Sequence, residues 1–160
     1  MEEGEYYDTA QICLNGHMVN FYSDSQSDSN QKFCSDCGAS TIRQCPNCEA
    51  KIRSFKHIPG VVYFPEQEAK KYCFNCGKPF PWTEEVIKNA KEFADELDLN
   101  TEEKGELKES VENLVNDKNI EVSGMKIKRI LKNAGSTAAD GLKTIIINFL
   151  SETAKKAAGF

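Results

Sequence analysis

Seven cysteines and two histidines are the side chains of this chain whose types and spacing could do chemistry, and eight of the nine fall into four close pairs. Cys34-Ser35-Asp36-Cys37, Cys45-Pro46-Asn47-Cys48 and Cys73-Phe74-Asn75-Cys76 each set two thiols two residues apart. Cys13-Leu14-Asn15-Gly16-His17 sets a thiol and an imidazole three apart. Two intervening residues let the backbone turn so that both sulfurs converge on one ion while N–H groups point at them. Four tetrahedral donors per ion then make two sites. The expected metal ligands are Cys13, His17, Cys34, Cys37, Cys45, Cys48, Cys73 and Cys76, holding two structural Zn2+ ions. Gly38 and Gly77, directly after two of the pairs, suit the positive φ such turns need, and Pro46 stiffens a third.

Other chemistry fits these residues less well. A dithiol redox site favours a single CxxC near a βαβ pattern, and here there are three with no such pattern. Iron–sulfur ligation takes four thiolates, but His17 makes zinc the simpler assignment. Closed shells of four thiolates, or of three thiolates and an imidazole, leave no position for substrate, so the ions are expected to be structural. Four pairs combine in three ways. The sequential scheme joins Cys13, His17, Cys34 and Cys37 on one ion and the remaining four on the other, giving two consecutive zinc ribbons. A cross-braced scheme joins Cys13 and His17 to Cys45 and Cys48, as in ubiquitin-ligase zinc domains, and a nested scheme joins the two middle pairs. Cross-braced domains place only two or three residues and a histidine between their middle pairs, whereas seven residues separate Cys37 from Cys45; the sequential scheme is preferred. His57 has no partner left, and in His57-Ile58-Pro59-Gly60 it is expected to hydrogen-bond the turn beside it.

The elements that must position these donors are small. Residues 9–13, 18–22, 41–43, 52–55, 61–64 and 71–74 are short runs rich in β-branched or aromatic residues, broken by Gly, Pro and Asn. Strands this short need a staple. The polar run Ser23-Asp24-Ser25-Gln26-Ser27-Asp28-Ser29-Asn30 has nothing apolar to bury and reads as a mobile hairpin tip. The period changes after Trp82. Thr83 opens a helix with Val86, Ile87, Ala90, Phe93, Ala94 and Leu97 on one face. Asn100 or Thr101 caps a second with Leu107, Val111, Leu114 and Val115. Ser123 starts a third with Ile127, Ile130, Leu131 and Ala134, stopping at Gly135. A fourth is expected over residues 136–158, with Ala139, Leu142, Ile146, Phe149, Leu150, Thr153 and Ala157 on a broad apolar face.

The fold expected is therefore a small zinc-stabilised β region of two zinc ribbons over residues 1–82, followed by an all-α C-terminal helical domain of about four helices over residues 83–160, α+β overall. Pro79-Phe80-Pro81-Trp82 reads as a stiff joint, and Phe64, Phe74, Phe80 and Trp82 as aromatics packing the ribbons onto the first helix. The formal charge is −5 in 160 residues, shared as −2 and −3 between the halves. Seven thiolates and two divalent ions would carry it to about −8, opposing nonspecific binding to phosphate backbones. No apolar run approaches the length of a membrane span. The acidic start, Met1-Glu2-Glu3-Gly4-Glu5, lacks the basic head of a secretory signal. A cytoplasmic location is expected, where thiols stay reduced.

The stretch from Tyr7-Asp8-Thr9-Ala10-Gln11-Ile12-Cys13 through His17 to Cys76-Gly77-Lys78-Pro79-Phe80-Pro81-Trp82 resembles a family of uncharacterised bacterial proteins with an N-terminal double zinc ribbon. Ser151-Glu152-Thr153-Ala154-Lys155-Lys156 is similar to the tail of the same family. The resemblance implies zinc at the eight donors named above and brings no established activity. No Ser/His/Asp arrangement, phosphate-cradling glycine loop or HExxH helix is present. The expected role is non-enzymatic: a zinc-binding interaction platform with a helical assembly domain, partnered by a protein or a second copy through the C-terminal helices at Leu142, Ile146, Phe149 and Leu150. One alternative is a nucleic-acid-binding regulator using Arg43, Lys51, Arg53 and Lys56, with Phe55 and Tyr63 interleaved. Another is a ubiquitin-transfer enzyme, which needs the cross-braced pairing. Peripheral membrane contact through Lys143, Lys155 and Lys156 is less favoured, and Lys126, Lys128, Arg129 and Lys132 read as the wet side of the third helix.

Overall fold

The computed structural model describes residues 4–62 and 68–159. The chain forms two compact units, Met1–Thr83 and Glu84–Phe160.

The first unit is built from strands of two to five residues: β1 (Tyr6–Thr9), β2 (Gln11–Cys13), β3 (Met18–Asn20), β4 (Thr41–Ile42) and β5 (Arg53–His57). They make a two-stranded antiparallel sheet, β1 with β5, and a three-stranded antiparallel one in the order β3-β2-β4. The expected run at residues 61–64 does not appear as a strand at Val61 or Val62, and Tyr63 and Phe64 lie outside the described residues. Ala10, Ile12, Ile52, Phe80 and Trp82 are buried, together with the first cysteine of every pair and the polar Asp8, Thr9, Gln11 and Asn20. A core with so few large apolar side chains buries little surface on folding.

The serine-rich run is pinned rather than a loose tip. The buried carboxylate of Asp8 accepts the backbone N–H groups of Thr9 (2.7 Å) and Asp24 (3.1 Å) and the hydroxyl of Ser25. Asn20 donates to the Gln26 carbonyl and to Asn30 Oδ1, and Asn30 donates to the Ser23 carbonyl. The polar side chains that argued against burial instead find partners: Asn30 bonds to the backbone, as short Asn side chains do in turns, while Ser25 donates to the Asp8 carboxylate and Asp24 accepts from the Thr9 hydroxyl.

Among the described residues the second unit has five helices: α1 (Pro81–Glu96, beginning in the first unit), α2 (Thr101–Val115), α3 (Ile120–Ala134), α4 (Ser136–Ile146) and α5 (Glu152–Ala158), with a 3-10 turn at Ile147–Phe149. α1 starts two residues before the expected Thr83 because Pro81 suits the first helical turn; the Thr83 hydroxyl donates to the Lys71 carbonyl at 2.9 Å. Asn100 and Glu103 form a reciprocal capping box at the start of α2. α3 begins at Ile120, three residues earlier than expected, after Asn119 in a left-handed conformation.

The long fourth helix expected from the sequence is two helices. Ala138, Leu142, Ile146, Leu150, Ala154 and Ala158 are all buried, at intervals of four. Each such step advances a straight α-helix about 40° beyond a full turn, so the stripe would wind round to the opposite side over its length. The 3-10 turn and the extended Leu150 reset the phase, and Ser151 caps the new helix by accepting the Ala154 N–H at 3.2 Å. The core inherits this stripe in place of the expected one: Thr153 is exposed, Ala139 and Phe149 only half-buried. Leu142, Ile146 and Leu150 join Leu107, Val111, Leu114, Ile127 and Ile130 in one aliphatic cluster. No helix among the described residues is long and apolar enough to cross a membrane.

Candidate metal centres

Each CxxC pair sits on the same turn. The N–H of the residue after the second cysteine donates to the carbonyl of the first: Gly38 to Cys34, Glu49 to Cys45 and Gly77 to Cys73, at 2.8–2.9 Å. The N–H of the first cysteine is taken by the carbonyl of the residue five further on: Ala39, Ala50 and Lys78. A single antiparallel bridge closes every turn outside these bonds: Phe33 to Ser40, Gln44 to Lys51 and Tyr72 to Pro79. Gly38 and Gly77 adopt φ of 71°, as their position after the pair suggested, and Glu49 takes the same left-handed conformation at 60°. That third case carried no glycine to mark it. The Cys13 turn is wider; Cys13 donates to the His17 carbonyl and Gly16 to the Cys13 carbonyl.

These turns bring the eight predicted donors into two groups, Cys13, His17, Cys34 and Cys37 in one and Cys45, Cys48, Cys73 and Cys76 in the other, with the donor atoms of each group all within 4.8 Å of one another. The grouping is sequential. Cross-braced pairing would require Cys13 and His17 beside Cys45 and Cys48, which belong to the other cluster. His57 belongs to neither; it ends β5, opposite Tyr6, and stacks on the Tyr6 ring at 4.8 Å instead of serving the following turn.

The spacings fit one ion per group. A tetrahedral ion with metal–sulfur bonds of about 2.3 Å holds its sulfurs about 3.8 Å apart, and a sulfur and an imidazole nitrogen about 3.6 Å apart. Cys13 and Cys37 sulfurs are separated by 3.8 Å, Cys45 and Cys76 by 3.8 Å, and Cys48 and Cys73 by 3.7 Å; Cys34 Sγ lies 3.6 Å from His17 Nδ1. All are far beyond a disulfide bond of about 2.0 Å, and the seven thiols are unbridged. In each group the first cysteine of a pair is buried and its second donor is more accessible.

The electrostatics favour thiolates unevenly. In one group the Asn15 side chain donates to Cys37 Sγ at 3.5 Å; in the other, Asn75 donates to Cys48 Sγ at 3.5 Å. Each asparagine thus reaches from its own turn to the opposite one, a pairing invisible until the turns face each other. The Asn75 amide, with the Ala50 N–H, brings Cys48 down to about 6. Cys37 is lowered chiefly by the Ala39 N–H. Burial raises Cys13 against the N–H groups of His17 and Asn15. Cys76 is pushed up to about 11: the Lys78 N–H works the other way and is outweighed by burial and the thiols of Cys48, Cys73 and Cys45. Soft sulfur donors with one imidazole suit a thiophilic ion.

A family model described as an uncharacterized protein conserved in bacteria (DUF2321) matches residues 6–158. The chain belongs to this family. No curated protein and no solved structure matches it. The match spans both units, so the family pattern includes the helices as well as the clusters.

Lys51 pairs with Asp24 at 2.7 Å and Lys56 with Glu5. The Arg53 guanidinium lies over the Phe74 ring at 3.6 Å and near Tyr7 at 4.7 Å. Phe80 and Trp82 stack on each other at 4.8 Å within the first unit, where the Trp82 indole donates to the Lys70 carbonyl. Phe74 is more than half exposed.

Proposed function

We propose that the protein is a non-enzymatic zinc-binding scaffold whose double ribbon presents a recognition surface, with the helical unit serving assembly. The observation that carries the reading is the pair of closed four-donor shells at tetrahedral spacing. Four protein donors per ion leave no coordination position for water or substrate, the arrangement of structural rather than catalytic zinc. Zinc is preferred to iron because an imidazole completes one shell and both groups have single-ion dimensions. The recognition surface is the face carrying Tyr7, Arg53 and Phe74, where exposed aromatic rings and a guanidinium share one patch; aromatics and arginine dominate binding hot spots. Assembly through Leu142, Ile146 and Leu150 would compete with the helical core that buries them, so α3, with exposed Val122 and Met125, is the better face for a second copy.

Elemental analysis of protein prepared under reductant is expected to return two zinc ions per chain. Retrieval of bound molecules from cells, with the native chain and a Cys45→Ser, Cys48→Ser variant, should lose the partners of the second ribbon. Identical retrieval by both would remove that ribbon as the recognition surface. A nucleic-acid role rests on the same Arg53 and Phe74 stack, but Lys51 and Lys56 are already ion-paired. No gel shift at about 50 mM salt, where counterion release favours binding most, would end that alternative.

A further inference from the structure

Asn15 and Gly16 lie in the wide turn between Cys13 and His17, and the structure asks for each of them separately. The Asn15 amide is the donor that crosses the first cluster to Cys37 Sγ at 3.5 Å. Gly16 has a φ of 87°, and a Cβ there would stand 3.1 Å from Cβ and Cγ of the buried Trp82. A left-handed backbone and so close an approach both call for glycine. Together the two requirements create an Asn-Gly step, the single one in the sequence. Such a step cyclises readily, because no Cβ shields the attacking glycine nitrogen and the glycine backbone is free to adopt the conformation required. In the second cluster the corresponding asparagine, Asn75, precedes Cys76, whose side chain crowds the same attack.

In the folded turn both reacting groups are engaged elsewhere. The Gly16 N–H donates to the Cys13 carbonyl at 2.9 Å, and the Asn15 carboxamide is held on Cys37. What holds the Cys13 turn against the Cys34 turn is the convergence of four donors on one ion.

We propose that Asn15 is a deamidation site opened by loss of the first ion, so that this cluster records metal loss irreversibly and the second does not. The inference rests on the zinc reading above. The Gly16 backbone nitrogen bonds to Asn15 Cγ and gives up its proton, while the Cγ–Nδ2 bond breaks and ammonia leaves with that proton. Water then opens the cyclic imide. Cleavage on the Cγ side gives aspartate; cleavage on the backbone carbonyl side gives isoaspartate. No oxidant or reductant takes part. Either product replaces the N–H donor to Cys37 by a carboxylate beside the thiolates of Cys13, Cys34 and Cys37, where like charges repel. The isoaspartyl form also adds a carbon to the main chain between Cys13 and His17.

The test is incubation of the full-length protein under reductant in mildly alkaline buffer, one sample with zinc and one with excess chelator. Peptide mass mapping follows Asn15 and Asn75, and elemental analysis follows the metal. Conversion of Asn15 is expected at least tenfold faster in the chelated sample, with Asn75 intact in both. When zinc is restored, the fresh chain should take up two ions and the converted chain one. An Asn15→Gln variant, which would have to close a larger ring, should take up as many ions after the incubation as before it. Equal conversion with and without zinc, an intact Asn15 in the chelated sample, uptake of two ions by the converted chain, or the same loss of uptake in the variant would each overturn the proposal. A fresh chain that holds no zinc would overturn the metal reading and the proposal with it.

Discussion

The two units are close to equal in length and are held together by different means. Between residues 84 and 159 the interior is a continuous aliphatic cluster drawn from all five helices. Among the described residues up to Thr83, four cysteines, five polar or charged side chains besides Thr83, and only four large apolar ones lie buried. The helical unit can close on hydrocarbon alone. The ribbon unit has its turns converging on sulfur, and buried Asp8, Gln11 and Asn20 use their hydrogen bonds to fix loops. The lesson is that burial by itself does not tell how a unit is stabilised; the chemistry of what is buried does.

Removing metal is the strongest way to break the comparison. A structural zinc site contributes on the order of 10 kcal/mol to folding, so a chelator should abolish the amide dispersion of residues 4–62 while leaving residues 101–158 helical. Two-dimensional NMR with and without chelator separates the outcomes; equal loss in both units would mean that they are not independently stabilised. The converse experiment is Leu114→Ala, a fully buried residue of the helical cluster. It should cost about 2–5 kcal/mol in urea denaturation of the helical signal with metal stoichiometry unchanged. Gly124→Ala is expected to cost about 1–3 kcal/mol by overpacking, because a Cβ there would sit 2.6 Å from the Ala157 carbonyl, where α5 crosses α3.

Smaller effects sharpen the contrast within the ribbons. Asn75→Ala deletes the amide that crosses to Cys48; outer-shell partners of metal ligands typically change affinity by about tenfold or more, measurable by competition with a chromophoric chelator. Asn15→Ala should act likewise on the other group. The smallest expected change is at Lys51→Met. The Lys51 ammonium and Thr9 hydroxyl hold Asp24 below its ordinary value. A depressed carboxyl stabilises the fold above its unfolded pKa and loses that contribution as pH falls through the folded one. The pair is solvent-exposed, so the variant should lose only about 0.2–1 kcal/mol at neutral pH, and the difference should vanish in acid below the usual aspartate range. Thermal melts at both pH values read it.

Ligand spacing was legible because it is local: two residues between cysteines dictate one turn, whatever surrounds it. A cap for α2 at Asn100 or Thr101 was legible for the same reason, and the Glu103 carboxylate reaching back to Asn100 decides between the two. The reach of Asn15 and Asn75 across to the opposing turns was not, since it depends on which turns face each other. The break before α5 was marked by Ser151 and Glu152, yet the apolar stripe across it masked the cap. The ordering of residues 23–30 depends on Asp8, fifteen or more positions earlier, so composition alone pointed the wrong way.

Residues 33–40, 44–51 and 72–79 repeat one hydrogen-bonded turn three times with different letters inside. Such a segment behaves as an interchangeable cassette: its shape is set within itself and its two sulfurs are the outward connection that all three copies share. Grafting one copy in place of another would preserve the docking geometry, and replacing Glu49 by the glycine of its siblings would relieve a left-handed backbone. A protein made of such parts can lengthen or diversify its face by duplicating the cassette, without having to invent a new interior each time.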